Sequence, residues 1–329
     1  MKHTTKPQQS SITSIRPRRL RRNPVIRDMV AETFLGPEHL VQPVFILEGS
    51  SLKQPIASMP GQFRFSLDQL FVATENGLKK GINKLALFPV IADQLKSKDA
   101  AESYNPEGFL PQAVQKLKNK FPEVMLFTDV ALDPYSSDGH DGLVENGEVL
   151  NDATVEVLVK MAVVQAAAGA DFVCPSDMMD GRIGAIRHGL DQAGFVDTGI
   201  LSYAAKYASA FYGPFRDALD SAPRFGDKKT YQMDYRNSRE ALREVMLDVR
   251  QGADIVMVKP GLPYLDIIAK VRANTQLPVA AYNVSGEYAM IKAAAEKGWI
   301  DGHKTMMESL YAFRRAGADL IFTYFAWEF

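Results

Sequence analysis

The run Asp254-Ile255-Val256-Met257-Val258-Lys259-Pro260-Gly261 decides the fold class of this chain. Continuous Ile, Val and Met residues that stop at a Pro-Gly pair are typical of a strand buried on both faces, as in parallel sheets. Lys259 follows these residues directly, so we expect it at the carboxyl end of the strand, where burial lowers the pKa of an amine. Such a lysine can attack a carbonyl and form a Schiff base. The alternative is a lysine whose ammonium group reaches solvent at the rim.

The rest of the chain alternates apolar runs with amphipathic runs. Gly-Ala-Asp junctions at 169–171, 252–254 and 317–319 each close a helical pattern and open a strand, because glycine adopts the conformation that ends a helix. We predict strands at 41–47, 84–90, 124–130, 171–175, 199–202, 254–259, 279–284 and 319–325, and helices at 67–80, 110–120, 152–168, 238–251, 264–273, 288–297 and 304–316.

Eight strands that alternate with helices predict a parallel α/β sheet closed into a (β/α)8 TIM barrel. The alternative is an open doubly wound sheet, but no Gly-x-Gly-x-x-Gly turn follows the first predicted strand. We assign residues 31–329 to the barrel and residues 1–30 to an extended N-terminal arm, because the latter are polar and carry no hydrophobic period.

The composition bounds the class of protein. The 329 residues carry a net charge of -1, which argues against a surface that attracts nucleic acid or membranes. No apolar run approaches the roughly 20 residues that cross a bilayer, and the N-terminus lacks the apolar segment of a secretory signal. Cys174 is the only cysteine, which excludes a disulfide framework and fits a reducing compartment. We therefore expect a cytoplasmic protein.

The basic block Arg16-Pro17-Arg18-Arg19-Leu20-Arg21-Arg22 lies in the predicted arm. One interpretation is a nucleic-acid-binding arm, which would lose salt-sensitive binding if residues 1–22 were deleted. We favour an arm that pairs with acidic groups of a neighbouring subunit or of its own barrel, because the remainder of the chain offers no basic groove or aromatic platform.

Polar residues follow the predicted strands at their carboxyl ends, which converge on one face of a barrel. They are Asp129, Ser176, Asp177, Tyr203, Lys206, Lys259, Ser285 and Tyr324. Two ammonium groups about 5 Å apart repel by roughly 3 kcal/mol at an effective dielectric of about 20. That is about two pKa units, enough to bring one lysine from about 10.4 towards neutrality. The alternative for Lys206 is an exposed loop residue.

Two long connections, 131–152 and 207–236, follow strands on this face, where barrel loops hold sites or lids. The first is rich in aspartate, and its oxygen ligands suit Mg²⁺ better than zinc. Its alternative is a surface loop with Asx turns. The second contains four cations that can bind a substrate carboxylate, namely Arg216, Arg224, Lys228 and Lys229. It also contains a turn that can hinge a lid, Tyr212-Gly213-Pro214-Phe215.

Several strings resemble one family closely. They are Pro175-Ser176-Asp177-Met178-Met179-Asp180-Gly181-Arg182, Ser202-Tyr203-Ala204-Ala205-Lys206-Tyr207, Phe211-Tyr212-Gly213-Pro214-Phe215-Arg216-Asp217, Val258-Lys259-Pro260-Gly261-Leu262-Pro263-Tyr264 and Tyr282-Asn283-Val284-Ser285-Gly286-Glu287. From about residue 16 to residue 324 the chain resembles the porphobilinogen synthases (5-aminolaevulinate dehydratases). The resemblance implies a lyase that condenses two 5-aminolaevulinate molecules to porphobilinogen, with loss of two waters, in tetrapyrrole biosynthesis. It also implies a homo-oligomer, typically an octamer, in which the arm embraces a neighbour.

The resemblance also implies the roles of single residues. Lys259 forms the Schiff base with the substrate on the propionate side (the P side), and Lys206 does so for the second substrate (the A side). The remaining substrate-binding and proton-transferring residues are Arg216, Lys228 and Gln232 for the A-side carboxylate, Ser285 and Tyr324 for the P-side carboxylate, Tyr212 at the lid, and Asp129 and Ser176 beside the reacting groups. The lid covers residues 207–232.

The chain departs from the zinc-dependent members of this family, which carry three cysteines where it has Ala131, Asp133 and Asp141. Zinc is therefore not expected. The aspartate-rich loop resembles the Mg²⁺-responsive bacterial type, in which a glutamate at the position of Glu244 contributes to an allosteric Mg²⁺ site between subunits. Asp133 and Asp141 are further metal candidates, and no organic cofactor is expected. For Glu244, the alternative is an ordinary solvated glutamate.

A class I aldolase on the same barrel is the alternative enzyme. It also uses a Schiff base, but it needs only one catalytic lysine. Neither an aldolase nor a nucleic-acid binder accounts for the whole set of polar strand ends.

Overall fold

The computed structural model describes residues 15–219 and 224–329. Chain contacts divide it into two units, one ending at Phe34 and the other running from Leu35 to Phe329. The described part of the first unit is not extended, because helical turns form at Pro17–Arg21 and Pro24–Met29. Several large apolar side chains of this unit are exposed: Ile15, Leu20, Val25, Met29, Val30 and Phe34. The first fourteen residues of the predicted arm lie outside the described residues.

A closed parallel barrel forms the second unit. Its strands are β1 (Leu40–Ile46), β2 (Lys84–Pro89), β3 (Met125–Val130), β4 (Phe172–Pro175), β5 (Gly199–Lys206), β6 (Ile255–Lys259), β7 (Val279–Asn283) and β8 (Leu320–Thr323). Each pairs with the next in parallel, and β8 closes on β1 with Ile321 opposite Leu40. The predicted (β/α)8 barrel is confirmed.

Helices surround the barrel. They are α1 (Leu67–Lys79), α2 (Phe109–Lys120), α3 (Asn151–Ala167), α4 (Arg182–Gln192), α5 (Gly213–Leu219), α6 (Arg239–Arg250), α7 (Leu265–Asn274), α8 (Ser285–Glu296) and α9 (Gly302–Ala316). The hydrophobic patterns did not predict α4, whose interior Gly184 and Gly189 lower its helix propensity. Among the described residues, no helix has the length and apolar character needed to cross a membrane.

Two antiparallel pairs of short strands accompany the barrel strands. Lys53–Pro55 and Phe63–Phe65 form an antiparallel pair after β1, and the second of them also pairs with β1, with Arg64 opposite Phe45. A second pair, Val144–Glu145 with Glu148–Val149, lies in the long connection after β3.

The fifth strand is longer than the sequence predicts. The prediction ended it at residue 202, whereas β5 continues to Lys206, and its residues from Ile200 onwards are buried. Alanine has a low strand propensity, so Ala204 and Ala205 gave no strand signal. Pairing with β6 overrides that propensity, because Ala205 lies opposite Val258 and Lys206 lies opposite Lys259.

Gly199 is a position at which barrel packing leaves no room for a side chain. It lies opposite Phe172 on β4, and a Cβ atom would approach the Phe172 ring to 2.3 Å. We expect Gly199→Ala to lower the free energy of unfolding by about 1–3 kcal/mol, because overpacking displaces the ring. Urea denaturation measures this change.

Gly184→Ala is the matched control. Its Cβ atom would lie 3.5 Å from Gln251, an ordinary contact. Alanine also raises helix propensity, so we expect no loss, or a gain of up to about 1 kcal/mol. Equal losses in both variants would contradict the packing argument.

Candidate active site

Two lysines lie side by side at the carboxyl ends of β5 and β6. Lys206 and Lys259 are direct partners in the strand register, and each is only 6% exposed. Lys206 is thus a buried strand residue, and its interpretation as an exposed loop residue is wrong. The parallel register brings both side chains to the catalytic end of the barrel.

Aromatic rings surround the ammonium group of Lys259. Its Nζ atom lies 4.5 Å from the ring centre of Tyr282, 4.9 Å from Tyr203, 5.1 Å from Phe215 and 5.4 Å from Tyr212. Burial lowers the pKa of Lys259 to about 7, and the nearby charge of Lys206 lowers it in the same direction. A large fraction of Lys259 is therefore a neutral amine, and hence a nucleophile, at neutral pH.

Lys206 has different surroundings. Its Nζ atom donates to Asp141 Oδ2 at 3.0 Å and to the carbonyl oxygen of Ser176. Asp141 Oδ1 accepts from Lys228 Nζ at 2.5 Å, and Lys228 also reaches Asp133 Oδ2 at 3.4 Å. Burial alone would raise the pKa of Asp141, but the ion pairs with the two lysines lower it well below its usual range. One carboxylate thus holds both ammonium groups.

Asp129 supplies a carboxyl group that can exchange protons. Burial raises the pKa of Asp129 to about 7, and the neighbouring Asp133 raises it further, while both lysines and a hydrogen bond from Ser176 oppose the shift. The Oδ1 atom of Asp129 is buried without a hydrogen-bond partner among the described residues. A carboxyl group with such a pKa is suited to general acid–base catalysis near neutral pH.

A small cavity of about 30 Å³ lies between these groups. Its lining includes most of the predicted site residues: Asp129, Asp133, Ser176, Lys206, Tyr212, Arg216, Lys228, Gln232 and Lys259. A volume of this size holds about one water molecule. A substrate can therefore enter only when the lining residues move apart.

Helix α5 is the cover of this cavity. The ring centre of Phe215 lies 5.6 Å from that of Phe45 and 5.1 Å from that of Phe88. The backbone N–H of Phe215 donates to Ser285 Oγ at 3.0 Å. Tyr324 lies beneath, stacked on Phe45 at 5.9 Å. Ser285 and Tyr324, predicted as carboxylate ligands, thus contact the cover and its support and do not line the cavity in this arrangement.

Three comparisons with known proteins bear on this site. A family model described as delta-aminolevulinic acid dehydratase matches residues 14–329. The chain belongs to that family. A delta-aminolevulinic acid dehydratase of Bradyrhizobium diazoefficiens is 55% identical over 314 residues, which cover 95% of this chain and 89% of that protein. A chloroplastic delta-aminolevulinic acid dehydratase from Oryza sativa is 57% identical over 317 residues, which cover 94% of this chain and 73% of that protein.

A solved structure agrees with the sequence relatives. It is the delta-aminolevulinic acid dehydratase (porphobilinogen synthase) of Toxoplasma gondii in complex with the reaction product porphobilinogen. It superposes with a TM-score of 0.95 at 55% identity, and the match covers 96% of this chain and 91% of that one.

Glu287 is a buried residue of this site to which sequence reasoning gave no role. Its Oε1 atom accepts from the N–H groups of Gly261 and Leu262 at 3.0 and 3.1 Å, and its Oε2 atom accepts from Asn283 at 2.7 Å. It therefore fixes the turn that follows Lys259. The sequence did contain two indications of a role for Glu287. It belongs to a string that resembles the dehydratases, and it stands in the first turn of α8, where acidic residues are favoured.

The predicted metal ligands fall into two groups. Asp133 and Asp141 already have ammonium partners, so their oxygens do not fit a divalent ion in this arrangement. Glu244 lies apart from them, with Asp180 and Glu240, along a cavity of about 920 Å³. Burial raises the pKa of Glu244, and neighbouring carboxylates, Asp248 first, add to the shift. No group of three or more acidic, His or Cys side chains suited to a metal occurs within 15–219 and 224–329.

Asp141→Asn tests how much the shared carboxylate contributes to stability. We expect the free energy of unfolding to fall by about 3–5 kcal/mol, because buried Lys206 loses its counter-charge and buried Lys228 keeps only Asp133 at 3.4 Å. The pKa of Asp141 is lowered in the folded state, so this contribution is full at neutral pH and is lost progressively below about pH 4. Urea denaturation at several pH values measures it.

Asp133→Asn is the matched control, because the one ion pair that Asp133 makes within 15–219 and 224–329, with Lys228, spans 3.4 Å. We expect Asp133→Asn to lower the free energy of unfolding clearly less than Asp141→Asn does. If both variants lost the same stability, Asp141 would not be the carboxylate on which the lysines depend.

Proposed function

We propose that this chain condenses two molecules of 5-aminolaevulinate to porphobilinogen, with loss of two waters, through Schiff bases on Lys259 and Lys206. The observation that carries the proposal is the strand register that places these two lysines opposite each other. One buried amine can activate one carbonyl, and a neighbouring pair can hold two substrates within bonding distance of each other.

Lys259 is the amine ready to react first. Its neutral form attacks the ketone carbon of the first substrate, and loss of the carbonyl oxygen as water gives the imine. The departing hydroxyl group needs a proton, which Asp129 can supply because its pKa is about 7. The rings around Lys259 then face the cationic imine and stabilise it.

Lys206 becomes reactive only after its ion pair with Asp141 loosens. We propose that the carboxylate of the second substrate binds Arg216 and Lys228, with Gln232 beside them. Lys228 would then turn from Asp141 to the substrate, which makes the Asp141 carboxylate more basic, so that it can take up the proton of the Lys206 ammonium group. The same binding step would prepare the second amine and position its carbonyl.

The lid supports the remaining roles. We propose that Ser285 and Tyr324 bind the first substrate's carboxylate once Phe215 withdraws from them, that Tyr212 lines the closed site, and that Ser176 holds Asp129 by a hydrogen bond. Both imines hydrolyse in water, so a cover that excludes solvent favours the condensation. The cavity of about 30 Å³ fits a lid that must open for each substrate.

Trapping with borohydride tests the proposal directly. We expect 5-aminolaevulinate and borohydride to label Lys259, as mapped by mass spectrometry. Labelling should rise from about a tenth of its maximum at pH 6 to about nine-tenths at pH 8, because a pKa of about 7 sets the neutral fraction.

Two variants separate the alternatives. Lys259→Met and Lys206→Ala should each lower porphobilinogen formation by roughly a thousandfold or more, as when a covalent nucleophile is removed. An aldolase would tolerate the loss of Lys206. Turnover of Lys206→Ala near that of the wild type, or no labelling at either lysine, would overturn the proposal.

We further propose a cytoplasmic homo-oligomer, an octamer, in which the first unit docks on a neighbouring subunit. Ile15, Val25, Met29 and Phe34 are each more than two-thirds exposed, and apolar side chains exposed together are typical of a surface that a partner covers. The single buried Cys174 fits a reducing compartment.

We also propose that Glu244 contributes to an allosteric Mg²⁺ site. Mg²⁺ keeps several of its waters and needs only one or two carboxylates from a protein, which Glu244 and the adjacent Asp180 or Glu240 can supply. Burial first, and like-charged neighbours after it, raise the pKa of Glu244, and a cation would relieve the repulsion among these carboxylates.

Sedimentation and turnover, each with and without Mg²⁺, test both proposals. We expect the full chain to sediment as an octamer, a chain without residues 1–34 to form a smaller species, and Mg²⁺ to raise turnover of the wild type. Glu244→Gln should lose that rise while its turnover without Mg²⁺ stays unchanged. An octamer without residues 1–34, or full Mg²⁺ stimulation of Glu244→Gln, would contradict the respective proposal.

A further inference from the structure

Arg64 contacts the lid helix from a part of the chain that the reaction does not use. Its Nε atom donates to the carbonyl oxygen of Ala218 at 2.6 Å, and its Nη2 atom donates to that of Asp217 at 2.6 Å. These carbonyls lie in the last turn of α5 (Gly213–Leu219), where backbone oxygens lack helical partners and carry the negative end of the helix dipole. A planar guanidinium group fits two such acceptors at once.

The base of Arg64 is rigid. Its strand pairs with β1 on one side and with Lys53–Pro55 on the other. The preceding residue, Gln62, donates to the carbonyl oxygen of Tyr324 at 3.0 Å. Arg64 therefore extends from the barrel itself to the moving helix.

The middle of α5 carries the groups that face the two lysines. The ring centre of Phe215 lies 5.1 Å from Lys259 Nζ, and Arg216 lines the cavity of about 30 Å³. Phe215 also packs on Phe45, the register partner of Arg64. The end of the helix is thus attached by charge to the strand Phe63–Phe65, and its inner face is attached by ring packing to β1, which pairs with that strand.

We propose that Arg64 is a positioning residue that latches the lid closed over the two lysines. This inference rests on the proposed function for its effect on turnover, but the latch itself concerns only the position of α5. When the lid opens, the guanidinium group returns to water and the two carbonyls lose a charged donor. The strength of this contact therefore sets the share of time in which Arg216 and Phe215 cover the site.

Arg64→Gln tests the latch with a neutral, shorter side chain. We expect the KM for 5-aminolaevulinate to rise about tenfold while kcat changes much less, because substrate must now close a lid that is open for most of the time. We also expect trypsin to cleave after Lys228 about ten times faster in the ligand-free protein, because this side chain is buried in the closed arrangement and becomes accessible when the lid opens.

Arg187→Gln is the matched control. Arg187 also donates to two backbone carbonyls, those of Thr198 at 2.7 Å and Phe195 at 3.0 Å, but it does so before β5, at the opposite end of the barrel. It should alter neither KM nor the rate of lid cleavage. Arg64→Lys, which keeps one charged donor, should lie between wild type and Arg64→Gln in both measurements.

The outcomes separate the latch from the reaction. Wild-type rates of trypsin cleavage in both Arg64 variants, or equal acceleration in Arg187→Gln, would overturn the latch. Trapping with borohydride and 4-oxopentanoate, the substrate skeleton without its amino group, should label Lys259 in the wild type and in Arg64→Gln at saturation. Absence of the label in the wild type would overturn the proposed function and leave the cleavage result to decide the latch.

Discussion

The structure depends on how two buried lysines share one end of a barrel. Lys206 and Lys259 are register partners, so their charges cannot move apart without a change in the sheet. Two uncompensated ammonium groups in such a place would cost several kcal/mol. The surroundings resolve this conflict unequally, because Asp141 pairs with Lys206 while aromatic rings and burial favour the neutral form of Lys259. Identical side chains thereby acquire different chemistry.

The same carboxylate links this charge balance to the lid. Asp141 lies in the connection after β3 and holds Lys206 with one oxygen and Lys228 with the other. Lys228 belongs to the connection after β5, so any movement of that segment changes the field at Lys206. The charge balance at Lys206 and the position of that segment are therefore coupled, since both lysines share the carboxylate of Asp141.

Much of the fold could be predicted from the sequence, because each barrel strand is a short apolar run and three of them follow a Gly-Ala-Asp junction. The end of β5 could not, since Ala204 and Ala205 become strand residues only through pairing with β6. The convergence of Asp129, Lys206 and Lys259 followed from barrel geometry alone. The pairing of Asp141 with Lys206 did not, because it joins a connection to the end of a strand across 65 residues of sequence. The fixed turn at Glu287 also needed coordinates.

The aspartates after β3 show why a pattern of ligands does not decide their cation. Oxygen-rich loops suit Mg²⁺, and the alternative for this loop was a surface loop with Asx turns. In the folded chain their partners are Lys206 and Lys228. A divalent ion about 4 Å from each ammonium group would be repelled by about 8 kcal/mol per lysine at an effective dielectric of about 20. Such an ion could bind only after both lysines had left. The protein's own ammonium groups therefore occupy the place in which the sequence suggests a metal.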